Sequence, residues 1–255
     1  KLVYSYDNET VWIEAWGKNA LRVRATNNAR FADNNWALTE PVGERAAVAL
    51  VENEASREAS MMLGAPDTMT GTVQNGKITA SMSSKGVITF VNSDGKVLLK
   101  ENWRRLNDEP SMSLKYPGRE FRPSEGENYH VTVRFLPHDE EKIFGMGQYQ
   151  QKYLDLKGCS LELSHRNSQA SVPFYISNVG YGFLWNNPAV GKAVFGKNGT
   201  EWIAESTKQI DYWIVAGDTP AEIETIYTGV TGRAPMMPDY GMGFWQCKLR
   251  YTTQE

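Results

Sequence analysis

Residues 143–187 read IFGMGQYQQKYLDLKGCSLELSHRNSQASVPFYISNVGYGFLWNN. The stretch opens on Gly145-Met146-Gly147 and runs through a polar insert carrying Asp155, His165, Arg166 and Asn167. It closes on two strand-like runs, SVPFYIS and GYGFLWN, separated by a glycine turn. Regular strands that display an irregular, hydrogen-bonding-rich loop are a common way for a rigid scaffold to carry a site. Gly-Met-Gly is expected to make a tight turn. It is not a nucleotide-binding fingerprint, because the third glycine is missing at the required spacing and no βαβ unit follows.

Outward from this stretch the hydrophobic period is two. In TVWIEAW, Val11, Ile13 and Ala15 fall on one face, and Trp12, Glu14 and Trp16 on the other. After Gly17-Lys18-Asn19, Leu21, Val23 and Ala25 alternate with Arg22 and Arg24, one face buried and one wet. Lys1 to Thr26 therefore reads as two strands. Trp36, in the Asn-rich loop 27–44, is expected to plug the sandwich edge, with lining a groove as the alternative. AAVALV reads as a strand, while the alternation between Ala46 and Met69 is otherwise blurred. Asn75-Gly76 and Asn92-Ser93-Asp94-Gly95 are hairpin signals. Residues 102–128 read as a long surface connection with a short strand around Met112 and Leu114. YHVTVRF, KAVFG, TEWIAE and IDYWIVAG supply further strands, the last with Tyr212 and Trp213 on opposite faces.

The period changes at Thr219. Thr219 can cap a helix, Pro220 fits its first turn and Glu222 completes a capping box. Ile223, Ile226, Tyr227 and Val230 then recur at helical spacing, and Gly232 is the stop signal. About fourteen to sixteen short strands with one late helix predict a mainly β fold, a large antiparallel β-sandwich whose two stacked sheets bury their inner faces. RAPMMPD, residues 233–239, reads as a boundary. The expected domains are a β-sandwich over 1–234 and a linker with one hydrophobic strand over 235–255.

Composition narrows the function. The net charge of −3, from 27 basic and 30 acidic residues without long like-charged runs, favours neither nucleic acid nor an anionic membrane as partner. No apolar stretch is long enough to span a bilayer. With no signal-peptide pattern at Lys1 the expected location is cytoplasmic; periplasmic or secreted locations stay open, since a removed leader would leave no trace. Cys159 and Cys247 are the only cysteines, too few for a disulfide framework or a thiolate metal site, and both are expected to be buried thiols. The sequons at Asn8 and Asn198 are short enough to arise by chance. Eight tryptophans and twelve tyrosines suit thick sheet cores, carbohydrate-stacking surfaces or both.

Among chemical motifs, His130, His138 and His165 lack metal-ligand spacing, so neither metal nor other cofactor is expected. There is no Gly-x-Ser-x-Gly elbow. Carboxylates are plentiful, but spacing alone places no pair at the separation that glycoside hydrolysis needs. His165, Arg166 and Asn167 stand together with few compensating acids. Two readings stay open: they satisfy loop carbonyls on a solvated face, or they contact a polyhydroxylated ligand.

FGMGQYQ, DLKGCSLELSHRN, SVPFYISNVGYGFLWNNPAVG, IDYWIVAGDTPAEI and GFWQCKLRY together resemble the N-terminal part of a family 31 glycoside hydrolase of bacterial α-xylosidase or α-glucosidase type. Ordered motifs carry the likeness from about Lys142 to Glu255; the first 140 residues match in general strand character. The resemblance implies a galactose-mutarotase-like sandwich preceding a (β/α)8 barrel that carries both catalytic aspartates, acting with net retention. GFWQCKLRY would be the first barrel strand, and both aspartates would lie beyond Glu255, so Asp155, Asp211 and Asp239 are not given that role. The insert from Gln150 to Ala170 would match the loop sent over the barrel mouth. Substrate contact is expected from His165, Arg166 and Asn167, with Asp155 behind them, and from Trp245 and Arg250 near the barrel strand. The implied partners are an oligosaccharide or α-glycoside substrate and the barrel of the same parent. An unpaired last strand would be disordered or would pair with a second copy, which adds a homo-oligomer as a candidate. The chain alone is expected to be inactive. The alternative is a free-standing carbohydrate-binding or lectin-like sandwich, which would need exposed aromatic platforms.

Overall fold

A computed structural model describes residues 1–39, 46–50, 68–102, 104–105, 115–246, 250 and 252–253. The chain opens with β1 (Leu2–Tyr6), β2 (Glu9–Ala15) and β3 (Ala20–Thr26). This corrects the expected pair to three strands: LVYSY pairs antiparallel with β2 through a turn in which Asp7 has a φ of 55°. A meander follows, made of β4 (Ala47–Leu50), β5 (Met69–Asn75), β6 (Ile78–Ser83), β7 (Ile88–Asn92) and β8 (Val97–Lys100). Its two predicted hairpins are present. The Asn92 side-chain oxygen accepts from the Asp94 and Lys96 amides, and Gly95 takes a φ of 77°.

The expected surface connection 102–128 holds more strand than its sequence suggested: β9 (Arg104–Arg105), β10 (Lys115–Tyr116) and β11 (Arg119–Pro123). Met112 and Leu114, where a short strand was expected, lie outside the described residues. Next come β12 (Tyr129–Phe135), β13 (Ile143–Gln148), β14 (Ser160–Leu163), β15 (Ala170–Ser177) and β16 (Tyr181–Trp185). The strands finish with β17 (Gly191–Gly196), β18 (Gly199–Thr207) and β19 (Ile210–Ala216). The described strands number nineteen, above the expected range, because short polar edge strands carry little alternation.

A seven-stranded sheet runs β1-β2-β3-β19-β16-β15-β13. Facing it are two five-stranded sheets, β4-β5-β6-β7-β8 and β11-β12-β18-β17-β14. A bridge between Glu101 and Phe135, with the Leu136 amide donating to the Lys100 carbonyl, stitches these two into one layer. Aromatic rings fill the gap between layers. Tyr212 of the seven-stranded sheet meets Phe90 of one facing sheet and Phe135 of the other, at centroid distances of 6.3 and 5.8 Å. Phe183 and Trp202 stack across the same interior. Each such fully buried ring contributes about 2–3 kcal/mol by leaving water.

The seven-stranded sheet is covered on its outer face as well. Helix α1 (Pro220–Thr231) lays Ile223, Ile226 and Val230 against Trp16, Leu184, Trp213 and Val215. Tyr212 and Trp213 face opposite layers as their spacing predicted. The helix lies close because Gly182 and Gly217 lack side chains; a Cβ at either would come within 2.6 or 2.7 Å of Ile223. Thr219 caps α1 by accepting from the Glu222 amide, and Gly232 ends it at a φ of 100°.

Two expectations on this outer face are corrected. Arg22 is not wet: its side chain is fully buried beneath the 27–39 loop. Trp36 plugs nothing and is 55% exposed; Asn35 and Leu38 do the covering.

Candidate functional site

The Gly-Met-Gly segment is not a turn but part of β13, which corrects the sequence reading. Opposite it, β15 carries extra residues: Gly145 pairs with Tyr175 and Gly147 with Ser171, so Val172, Pro173 and Phe174 bulge against Met146. Pro173 lacks the N–H that a regular ladder would use, which suits a bulge. At Gly147 (φ 87°) a Cβ would lie 2.3 Å from the Ala170 carbonyl oxygen, so only glycine allows this approach. The bulge bends the sheet edge where the polar insert departs.

The base of the insert is pinned. The Asp155 carboxylate accepts from the Ile143 and Lys157 amides, both at 3.0 Å, and the Leu156 amide donates to the Ile143 carbonyl. Lys157 Nζ reaches Glu141, a buried carboxylate that also accepts from Ser177 Oγ and Tyr181 Oη at 2.8 and 2.7 Å. Burial first, then the neighbouring Tyr175 and Glu141 oxygens, push the Tyr181 hydroxyl well above the ordinary tyrosine range, so it stays a donor. From this base the chain crosses between layers: β14 joins the five-stranded sheet beside β17, while β15 returns to the seven-stranded one. The insert is therefore not wholly irregular, as expected, but holds a strand. Cys159, just before β14, is a free thiol that is half-buried rather than buried; Cys247 lies outside the described residues.

Between β14 and β15 the chain makes an exposed tip. The Gln169 amide donates to the Arg166 carbonyl at 3.0 Å, and Ser168 has a φ of 70°. His165, Arg166 and Asn167 are exposed here, and Arg166 pairs with Glu162 four residues earlier. Two open clefts adjoin the tip. One, of about 310 Å³, is lined by His165 with Leu163, Pro173, Asn187, Pro188 and Val190. The other, of about 320 Å³, is lined by Arg166 with Gln150, Gln151, Glu162, Gln169 and Tyr149.

The structure thus gathers three of the predicted site residues at one tip and sets Asp155 at its base. Trp245 and Arg250 line neither cleft: Trp245 is 74% exposed, with its indole N–H on the Gly241 carbonyl, and Arg250 is exposed. Residues Gly243 to Gln246 form no strand, and the centre of the expected barrel strand, 247–249, lies outside the described residues. Gln150, Gln151, Glu162 and Gln169 escaped the sequence reading, and no local pattern marks them, since a strand and a turn bring them together.

Chemically, the clefts offer amides, a guanidinium, an imidazole and one carboxylate, Glu162. A single ion-paired carboxylate cannot supply the acid and nucleophile that glycosidic cleavage requires. Among the described residues no cluster of His, Cys, Asp and Glu is arranged to hold a metal ion. The arrangement is that of a two-layer β-sandwich presenting a polar loop.

Comparison with known proteins narrows that class. Residues 10–192 match the glycosyl hydrolase 31 N-terminal galactose mutarotase-like domain, and the chain belongs to this family. A protein of Pseudescherichia vulneris described as an uncharacterized family 31 glucosidase is 44% identical over 99% of this chain and 47% of its own length. Alpha-xylosidase A of Aspergillus niger is 31% identical over 96% of this chain and 33% of its own. Among solved structures, a family 31 α-xylosidase from a soil metagenome, complexed with xylose, superposes with a TM-score of 0.87 at 44% identity, covering 99% of this chain and 36% of that one. The chain thus spans less than half the length of each of these relatives.

Proposed function

We propose that this chain is the N-terminal domain of a retaining α-glycosidase that hydrolyses α-xylosidic or α-glucosidic O-glycosyl bonds, and that its 150–170 insert forms one wall of the sugar pocket. The observation that carries this reading is the 44% identity, over 99% of the chain, to an α-xylosidase structure containing xylose. The tip groups suit the task, since amides and a guanidinium match the donor and acceptor pattern of sugar hydroxyls. His165, Arg166 and Asn167 are proposed to contact or support the sugar, with Asp155 fixing the base; Trp245 and Arg250 are proposed for the pocket wall beside a barrel of the same parent. The nucleophile and the general acid/base are assigned to that barrel and not to this chain.

The test compares the 255-residue protein with a longer parent on aryl α-xylosides and α-glucosides. Hydrolysis by the parent and none by the shorter chain is expected. Turnover by a pure sample of the shorter chain would falsify the division of labour. A lectin-like module is the weaker reading, because the two exposed tryptophans among the described residues, Trp36 and Trp245, line neither cleft. Millimolar or tighter binding of xylose, glucose or isoprimeverose by the 255-residue protein, measured by calorimetry, would revive it.

A further inference from the structure

We infer that Tyr149, Ser171 and His165 form a latch that positions the tip, so that His165 acts as a positioning residue and leaves Arg166, Asn167 and Gln169 to meet a ligand. Tyr149, just past β13, has its hydroxyl 2.8 Å from the Glu162 carbonyl oxygen and 2.8 Å from Ser171 Oγ. A carbonyl can only accept, so the single phenolic proton goes to Glu162 and Ser171 Oγ–H donates to Tyr149. One ring thereby ties β14 to β15, strands that belong to opposite layers. On the same residue, the Ser171 backbone N–H donates to His165 Nδ1 at 3.3 Å. Ser171 is thus held from both its side chain and its main chain.

This wiring fixes the state of His165. An imidazole nitrogen that accepts a hydrogen bond carries no proton, so the latched form has its proton on Nε2. The ring is committed to the cleft walled by Leu163, Pro173, Pro188 and Val190, with Ser164, Ser171 and Asn187 as its polar members, and not to the one that Arg166 lines. Arg166 and Gln169 line the cleft whose other walls are Gln150, Gln151 and Glu162. Losing the Nδ1 acceptor opens the latch. On the adjoining strands β15 carries no charge, β17 carries Lys192, and Glu162 of β14 is paired with Arg166. That the freed groups meet a sugar rests on the proposed function; the latch itself does not.

Amide hydrogen exchange, followed by NMR on the 255-residue protein, tests the latch without any ligand. His165→Ala is expected to speed exchange of the Ser171 amide about threefold or more, and His165→Asn, whose side-chain oxygen can take the place of Nδ1, to restore it. Tyr149→Phe should quicken exchange across 164–169 while amides of β18 are unchanged. Equal Ser171 exchange in wild type and His165→Ala overturns the latch. His165 is exposed, so its variants decide the matter even if Tyr149→Phe fails to fold. Titrating xylose and glucose into the same samples addresses the other reading separately: a working latch with no sugar response at Arg166 to Gln169 counts against the sugar-wall proposal alone.

Discussion

Arg22 donates Nε–H to Asp211 Oδ1 at 2.9 Å and Nη2–H to Asp211 Oδ2 at 2.6 Å, a two-pronged pair between residues 189 positions apart with both side chains buried. Burial pushes the Asp211 carboxyl upward, against the opposing pull of the Arg22 guanidinium. The pair also organises the loop above it: Arg22 reaches Asn35 and the Asn34 carbonyl, while Asn186 reaches Asp211 and the Asn35 carbonyl. Removing one partner strands a buried charge, so Asp211→Ala and Arg22→Ala should each lower stability by about 3–5 kcal/mol. Urea denaturation would measure it, and a loss below about 1 kcal/mol would show that the site rehydrates.

The tip pair should behave oppositely. Arg166 and Glu162 are both more than half exposed, and exposed pairs contribute little because solvent screens them. Arg166→Ala is expected to change stability by less than about 0.5 kcal/mol. In an active parent it should raise KM for the sugar, and an unchanged KM would remove Arg166 from the pocket wall.

Gly147→Ala tests the bulge. A methyl group there must avoid the Ala170 carbonyl and accept a φ of 87°, which costs about 1–2 kcal/mol for the backbone alone. The expected result is a clear loss of stability, with faster amide exchange at the Gln148 to Ala170 pairing while the meander β4 to β8 is unaffected. A neutral substitution would mean that β13 pairs differently.

Acid should weaken the start of α1. Glu222 is held below its ordinary value of 4.5, first by the Lys77 ammonium and then by the Asp218 amide. Because the folded value is the lower one, the stabilisation is complete above the unfolded value and is lost as pH falls through the folded one. Wild type should therefore melt higher than Glu222→Gln at pH 7, and the gap should close as the pH drops below about 4. A gap that persists in acid would trace it to something other than this carboxylate. Thr219→Ala, by contrast, should cost about 1 kcal/mol at any pH.

Much of this was readable from local pattern. Leu21, Val23 and Ala25 announced their buried face, and Thr219 to Gly232 announced the helix from its cap to its stop, because period and capping are properties of neighbouring residues. The candidate site was legible only in outline. His165, Arg166 and Asn167 drew notice as a polar cluster, but nothing in the order of residues separates His165, bonded to the Ser171 amide, from Arg166, which faces the other cleft. Tyr149 and Glu162 went unnoticed because their roles depend on a strand that crosses between layers.

The amino-acid sequence by itself determined the β-sandwich, the late helix, the likeness to family 31 and the polar insert. Each of these rests on periodicity, on turn chemistry or on ordered motifs within short windows. The tertiary structure alone decided that Arg22 is buried, that Trp36 is exposed, and that Gly145-Met146-Gly147 lies in a strand facing a bulge. For Arg22 the reason is tertiary cover. Whether a polar residue in an alternating strand meets water or a partner depends on what folds over it. For Arg22 that cover is Asn35 and Asp211, one nearby and one at the far end of the chain.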